Sequence, residues 1–267
     1  MKQRIISAII ASILIIPIIL IGGNLYKAGV IILALVGLYE LIKAKENEKK
    51  IPTFMKIITM YFLLFYLLNN ITNSSFEIIL PVKYVLFLMI TLLLGLIVYR
   101  DEKKYNIKDA SYLFFINVLL SISFGLLMTI RDYNIYYLII ILLITIISDT
   151  FALVTGSLIG KHKFCPEISP NKTVEGFLGG LVFCLVVCVP TCITMFNYDG
   201  NILLLILLIS ILSIISTMGD LVFSAIKRNF KIKDYGKIMP GHGGVLDRMD
   251  SFLFVLLALY VLINYIG

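Results

Sequence analysis

The chain has 267 residues, 60% of them hydrophobic and only 15% charged, with a formal net charge of +7 and a mean hydropathy of +1.01. That composition excludes a soluble globular domain and places the chain in a lipid bilayer.

Apolar runs of about 17–25 residues, enough to cross about 30 Å of hydrocarbon as a helix, recur along its whole length. In chain order the predicted spans are 5–21, 26–42, 54–71, 79–99, 111–130, 135–155, 176–196, 202–219 and 249–266. The expected fold is an all-α polytopic membrane protein of about nine transmembrane helices. Lys2 and Arg4 precede the first run, but no small-residue cleavage site follows Ile21, so this run reads as a retained helix and not a signal peptide. With the N-terminus cytoplasmic and the C-terminus outside, every Lys and Arg except Lys27, Lys83 and Arg131 falls on the inner side, as the positive-inside rule requires. The net charge is therefore mainly a topology signal, and a basic inner face also suits anionic lipids and phosphates.

Chemistry-bearing residues are unevenly spread. A transmembrane region at 1–130, of about five spans, offers no nameable chemistry, whereas a region at 131–267 reads as catalytic. Cys184, Cys188 and Cys192 follow one another at helical spacing in the seventh span and read as small apolar packing residues. Carboxylates at bilayer depth are costly, about 2.5–3.5 kcal/mol at a helix centre. Asp149, Asp220, Asp247 and Asp250 nevertheless sit at the inner ends of the sixth, eighth and ninth spans. Four acids from three helices thus converge near the cytoplasmic interface, where the active site is expected.

Spacing refines this. Ser224, Lys227 and Arg228 follow Asp220 at i+4, i+7 and i+8, on one helical face, and Asp247, Asp250 and Ser251 share another. Between them lies Pro240-Gly241-His242-Gly243-Gly244, whose glycines let backbone N–H groups approach a ligand just before a helix N-terminus. A second inner loop, from Gly160 to Gly180, holds Lys161, Ser169, Lys172, Thr173 and Glu175. It reads equally as a substrate loop or as a basic loop followed by close glycine packing. Carboxylates suit Mg²⁺, and Lys and Arg suit phosphates; the ensemble points to phosphoryl or nucleotidyl transfer. "GSLIGKH" from Gly156 has the wrong spacing for a P-loop, and two His in the whole chain argue against zinc.

The stretch 224–250, with Ser224-x-Ile226-Lys227-Arg228, Lys233-Asp234-x-Gly236 and Pro240-x-His242-Gly243-Gly244-Val245-x-Asp247-Arg248-Met249-Asp250, resembles the signature of the bacterial phosphatidate cytidylyltransferases. Met239 stands where Leu, Ile or Phe is expected, a conservative change. "ISPNKTVEGFLGG" also looks like the family's second marked segment. The resemblance implies the reaction CTP + phosphatidic acid → CDP-diacylglycerol + pyrophosphate at the inner leaflet, in the cytoplasmic membrane. Asp220 and Asp247 would hold Mg²⁺, with Asp250 a third ligand or an orienting residue and a second metal ion left open. Lys227, Arg228 and Arg248 would clamp phosphates, and His242 would donate to phosphate or support its loop. Substrate contacts would come from Ser224, Lys233, Asp234, Gly241, Gly243, Gly244, Asp149, Lys161, Ser169, Lys172 and Glu175. The partners implied are CTP, phosphatidic acid, the bilayer and a second copy of the chain as a homodimer, with no nucleic acid. Alternatives are a CTP-dependent lipid-alcohol kinase, a cytidylyltransferase for another lipid acid, and an ion-coupled transporter, whose carboxylates would instead lie near the midplane.

Overall fold

The computed structural model describes residues 16–71, 81–236 and 243–263. Most of the first expected span, together with Gly241 and His242, lies outside them. Residues 16–21 are helical. Among the described residues eight longer helices follow: α1 (Gly23–Glu46), α2 (Thr53–Asn70), α3 (Val82–Tyr99), α4 (Ile107–Tyr133), α5 (Ile135–Ile159), α6 (Val174–Phe196), α7 (Ile202–Asn229) and α8 (Leu246–Ile263). Between α5 and α6 the strands β1 (Lys163–Cys165) and β2 (Ser169–Thr173) pair antiparallel, Lys163 opposite Thr173 and Cys165 opposite Ser169.

Helix starts are written in the sequence. Pro52 and Pro81 stand immediately before α2 and α3, where a missing N–H costs nothing. Asn106 and Asp109 exchange side-chain-to-backbone bonds of 3.1 Å each way at the start of α4, a reciprocal capping arrangement. Asn134 caps Tyr136 of α5 at 2.9 Å, and Thr173 caps Gly176 of α6 at 3.1 Å. Arg100 and Asn197 close α3 and α6 in the left-handed conformation.

Six of the helices, α1 and α3 to α7, are long and apolar enough to cross a membrane. In α2, Lys56, Asn69 and Asn70 interrupt the run, and α8 opens with Asp247, Arg248 and Asp250. Leu86, Ile90 and Ile97 of α3, Val186 of α6 and Leu203 and Leu207 of α7 are exposed, an arrangement that lipid tolerates and water does not. The protein is a multi-pass helical membrane protein.

The chain forms two compact units, the described parts of Met1–Tyr133 with Phe230–Arg248, and of Asn134–Asn229 with Met249–Gly267. In the first, α4 packs on α1, α2 and α3. Polar side chains join these helices where water is absent: Tyr84 donates to Asn117 at 2.5 Å, and Asn117 Nδ2 to the Thr59 carbonyl at 2.6 Å. Cations are held too, with Lys27 paired to Asp132 at 2.7 Å and Lys49 to the buried Asp109 at 2.5 Å.

In the second unit α5 and α6 lie closest, because small residues line their contact. A methyl added at Gly176 would meet the Ala152 carbonyl at 2.6 Å, and one at Gly180 the Ser148 carbonyl at the same distance. The helix α7 packs on both. It continues beyond Gly219, where the apolar run ends, through Asp220, Ser224, Lys227 and Arg228 to Asn229.

Candidate active site

The second unit gathers polar side chains from four elements. Asp149 comes from α5, Lys172 from β2, Asp220 and Ser224 from α7, and Asp250 and Ser251 from the second turn of α8. Lys172 Nζ lies 2.6 Å from Asp220 Oδ2 and also donates to the Thr217 carbonyl at 3.3 Å. Ser224 donates to Asp220 Oδ1 at 3.4 Å, one helical turn away. Ser251 donates from its hydroxyl to Asp149 Oδ2 at 3.1 Å and from its backbone N–H to Asp250 Oδ1 at 2.9 Å. The Asp220 and Asp250 carboxyl groups are close enough to share a hydrogen bond. Lys227 is buried and acts electrostatically on both acids.

Two carboxyl groups at this separation repel unless a proton or a cation lies between them. Magnesium takes oxygen ligands and typically binds through one or two protein carboxylates, substrate phosphates and water. The Asp220–Asp250 pair fits that habit. Among the described residues no set of three or more His, Cys, Asp or Glu converges as a metal site, so an ion here would draw its other ligands from phosphate and water.

The hairpin is fixed at both ends. Glu175, in the first turn of α6, accepts the backbone N–H groups of Lys161 (3.0 Å) and His162 (3.2 Å) and faces His162 Nδ1 at 2.6 Å. Arg228 Nε donates to the Ile168 carbonyl at 3.3 Å, tying the hairpin turn to the end of α7. Lys161 is exposed and Ser169 half-buried, neither touching the acid pair by a described hydrogen bond.

The rest of the signature belongs to the first unit. Asp247 Oδ2 accepts the N–H groups of Tyr235 (2.8 Å) and Gly244 (2.9 Å). Gly243 has φ +89°, a conformation that suits glycine. Lys233, Asp234 and Arg248 are exposed. Sequence reasoning expected four acids, Asp149, Asp220, Asp247 and Asp250, to converge; Asp149, Asp220 and Asp250 lie in the second unit with Ser224 and Lys172, while Asp247 lies in the first, bonded to the Tyr235 and Gly244 N–H groups. It missed the hairpin, and it named Glu175 as a substrate contact without its bonds to the Lys161 and His162 N–H groups, a pairing that no sequence pattern displays.

Carboxylates and lysines assembled inside a helical membrane protein are the groups that a phosphate-handling site would use. Residues 2–266 match the model of the cytidylyltransferase family. The chain is similar to phosphatidate cytidylyltransferases of Staphylococcus haemolyticus (36% identical), Staphylococcus saprophyticus (38%) and Staphylococcus aureus (35%), each alignment covering 98% of this chain and 99% of the relative. The chain belongs to the cytidylyltransferase family.

Proposed function

We propose that this protein is a phosphatidate cytidylyltransferase that converts CTP and phosphatidic acid into CDP-diacylglycerol and pyrophosphate. A phosphate oxygen of the lipid attacks the α-phosphorus of CTP, and the bond to the β-phosphate breaks with its electron pair leaving on pyrophosphate. The observation that carries this reading is the Asp220–Asp250 pair beside Lys172 and Lys227, in a chain aligned end to end with relatives of that name.

The resemblance implies Asp220 and Asp247 as the ligands, with Asp250 a third; because Asp250 is the acid paired with Asp220, we propose Asp220 and Asp250 as the pair that would hold Mg²⁺, which would supply charge neutralisation between two anionic reactants and on the departing pyrophosphate. Lys172, Lys227, Arg228 and Arg248 clamp phosphates, and Asp247 orders the turn whose N–H groups it accepts. The nucleophile is already ionised, so no strong general base is required. Nine spans with a cytoplasmic N-terminus would set the acids at the inner interface of the cytoplasmic membrane. Cytosolic CTP and a bilayer-held lipid can meet there. The catalytic region would be 131–267, and a homodimer the working assembly.

The test is to incubate purified protein with labelled CTP, phosphatidic acid and Mg²⁺. Labelled lipid and pyrophosphate should appear in equal amounts. Release of CDP instead would make the protein a lipid-alcohol kinase, and no labelled lipid would overturn the reading.

A further inference from the structure

A fully buried carboxylate in an otherwise apolar span requires partners that repay its desolvation. Glu40, in α1, is such a group, 1% exposed. Its Oε1 accepts the N–H of Val245 and its Oε2 the N–H of Leu246, each at 3.0 Å. Both donors stand at the start of α8, where the helix dipole favours an anion. Two glycines of the signature make the approach possible. A methyl added at Gly244 would lie 2.6 Å from the Glu40 carboxyl carbon, and one at Gly236 would lie 3.2 Å from it.

Asp247 completes the arrangement from the other side by accepting from Tyr235 and Gly244. The N–H groups of three successive residues, Gly244, Val245 and Leu246, are therefore all taken by carboxylates of the chain itself. Glu40 cannot shift without releasing two buried donors, each worth about 1–3 kcal/mol when left unsatisfied, nor Asp247 without releasing two part-buried ones. The surrounding helix is fixed as well. Tyr112 donates to the Leu41 carbonyl at 2.8 Å, one residue beyond Glu40, and its ring meets Phe230 edge-on. Leu246 in turn packs on Gly37, one turn before Glu40 on α1.

From this geometry we infer that Glu40 is a positioning residue for the proposed transferase. It fixes the turn and helix start that carry Asp247 and Arg248, and it does so without touching substrate. The inference rests on the cytidylyltransferase reading above. A group held in productive geometry through a partner loses rate, not substrate affinity, when that partner is weakened.

Glu40→Gln keeps the size of the side chain but offers one acceptor and sets an NH₂ against the second donor. We expect kcat to fall at least about tenfold, with KM for CTP within about twofold. Deuterium uptake in a peptide covering residues 243–248 should rise, and the thermal midpoint in detergent should fall by only a few degrees, since one donor is left unsatisfied. Gly244→Ala, which keeps Glu40 but crowds it, should lower kcat similarly, and the Glu40→Gln, Gly244→Ala double variant should lose no more than the worse single one. Wild-type kcat in Glu40→Gln, or losses that simply multiply in the double variant, would overturn the assignment. If the wild-type protein made no CDP-diacylglycerol, the functional reading would fail on its own. Deuterium uptake would still decide whether Glu40 holds the turn.

Discussion

Lys172 and Asp220 form an ion pair of 2.6 Å that joins the β1–β2 hairpin to α7. The same ammonium group donates to the Thr217 carbonyl, so one flexible side chain is held at two points. It neutralises one member of the Asp220–Asp250 pair while the other faces Lys227.

Replacing this lysine should therefore cost more than one phosphate contact. In Lys172→Met the chain length is kept and the charge removed, leaving Asp220 and Asp250 to repel across a poorly solvated gap. Transferase activity should fall by more than about a hundredfold. Arg at this position should restore little, because a planar guanidinium does not reproduce a compact ammonium on two acceptors. Turnover of labelled CTP in lipid micelles measures both.

The two acids themselves should act alike. Asp220→Asn and Asp250→Asn each remove a charge from the pair on which the metal proposal depends. Each should reduce product formation at least about a hundredfold while the protein stays folded and extractable in detergent. Titration with Mn²⁺ followed by electron paramagnetic resonance should show weakened binding in both variants. Unchanged binding in either would remove that residue from the metal site.

Much of this was legible in the sequence because the bilayer makes exceptions expensive. Apolar runs located the described longer helices to within about four residues, except that α7 runs ten residues past its expected end at 219, and acids near span ends marked Asp149, Asp220, Asp247 and Asp250, of which Asp247 lies in the other unit. The continuation of α7 through Ser224, Lys227 and Arg228 followed from their i+4 to i+8 spacing. What stayed hidden depends on long-range pairing. Glu40 reads as one more residue of α1 until Val245 and Leu246 are found against it, 205 and 206 positions later. The hairpin was equally hidden, since "KFC" and "SPNKT" show no alternation of apolar and polar residues.

Close packing of α5 on α6 supplies a stability prediction. Gly180→Val would drive a branched side chain into the Ser148 carbonyl and the Ala152 methyl. Since backbone cannot yield as a side-chain tip does, the variant should lose about 1–3 kcal/mol. A lower thermal midpoint with reduced yield is expected. Gly23→Ala provides the contrast for space, because nothing lies within 4 Å of a methyl placed there, although its φ of +60° adds backbone strain.

The cysteines give the opposite expectation. Cys184, Cys188 and Cys192 are buried along one face of α6, with Sγ of Cys184 3.9 Å from Sγ of Cys188. They sit where small apolar volume is wanted. Cys184→Ala should leave activity within about threefold and cost about 1 kcal/mol or less of stability. Metal content should be the same in variant and wild type. A large loss of bound metal would give the thiols a role as ligands.

Glu175 tests whether the hairpin serves the acid pair. Its carboxylate holds the backbone of Lys161 and His162 at the base of β1, while Lys172 projects from β2 to Asp220. Glu175→Ala would release two N–H groups that water can reach, so the stability cost should be small. The hairpin would then hold Lys172 less firmly, and the ordering of that side chain would have to be supplied on substrate binding. Activity should drop about tenfold through a raised KM for CTP if Lys172 meets substrate first, and Glu175→Gln, which keeps one acceptor, should recover part of it. Steady-state kinetics of the two variants beside Lys172→Met would decide the matter. Full activity in Glu175→Ala would leave the hairpin a connection between α5 and α6 and nothing more.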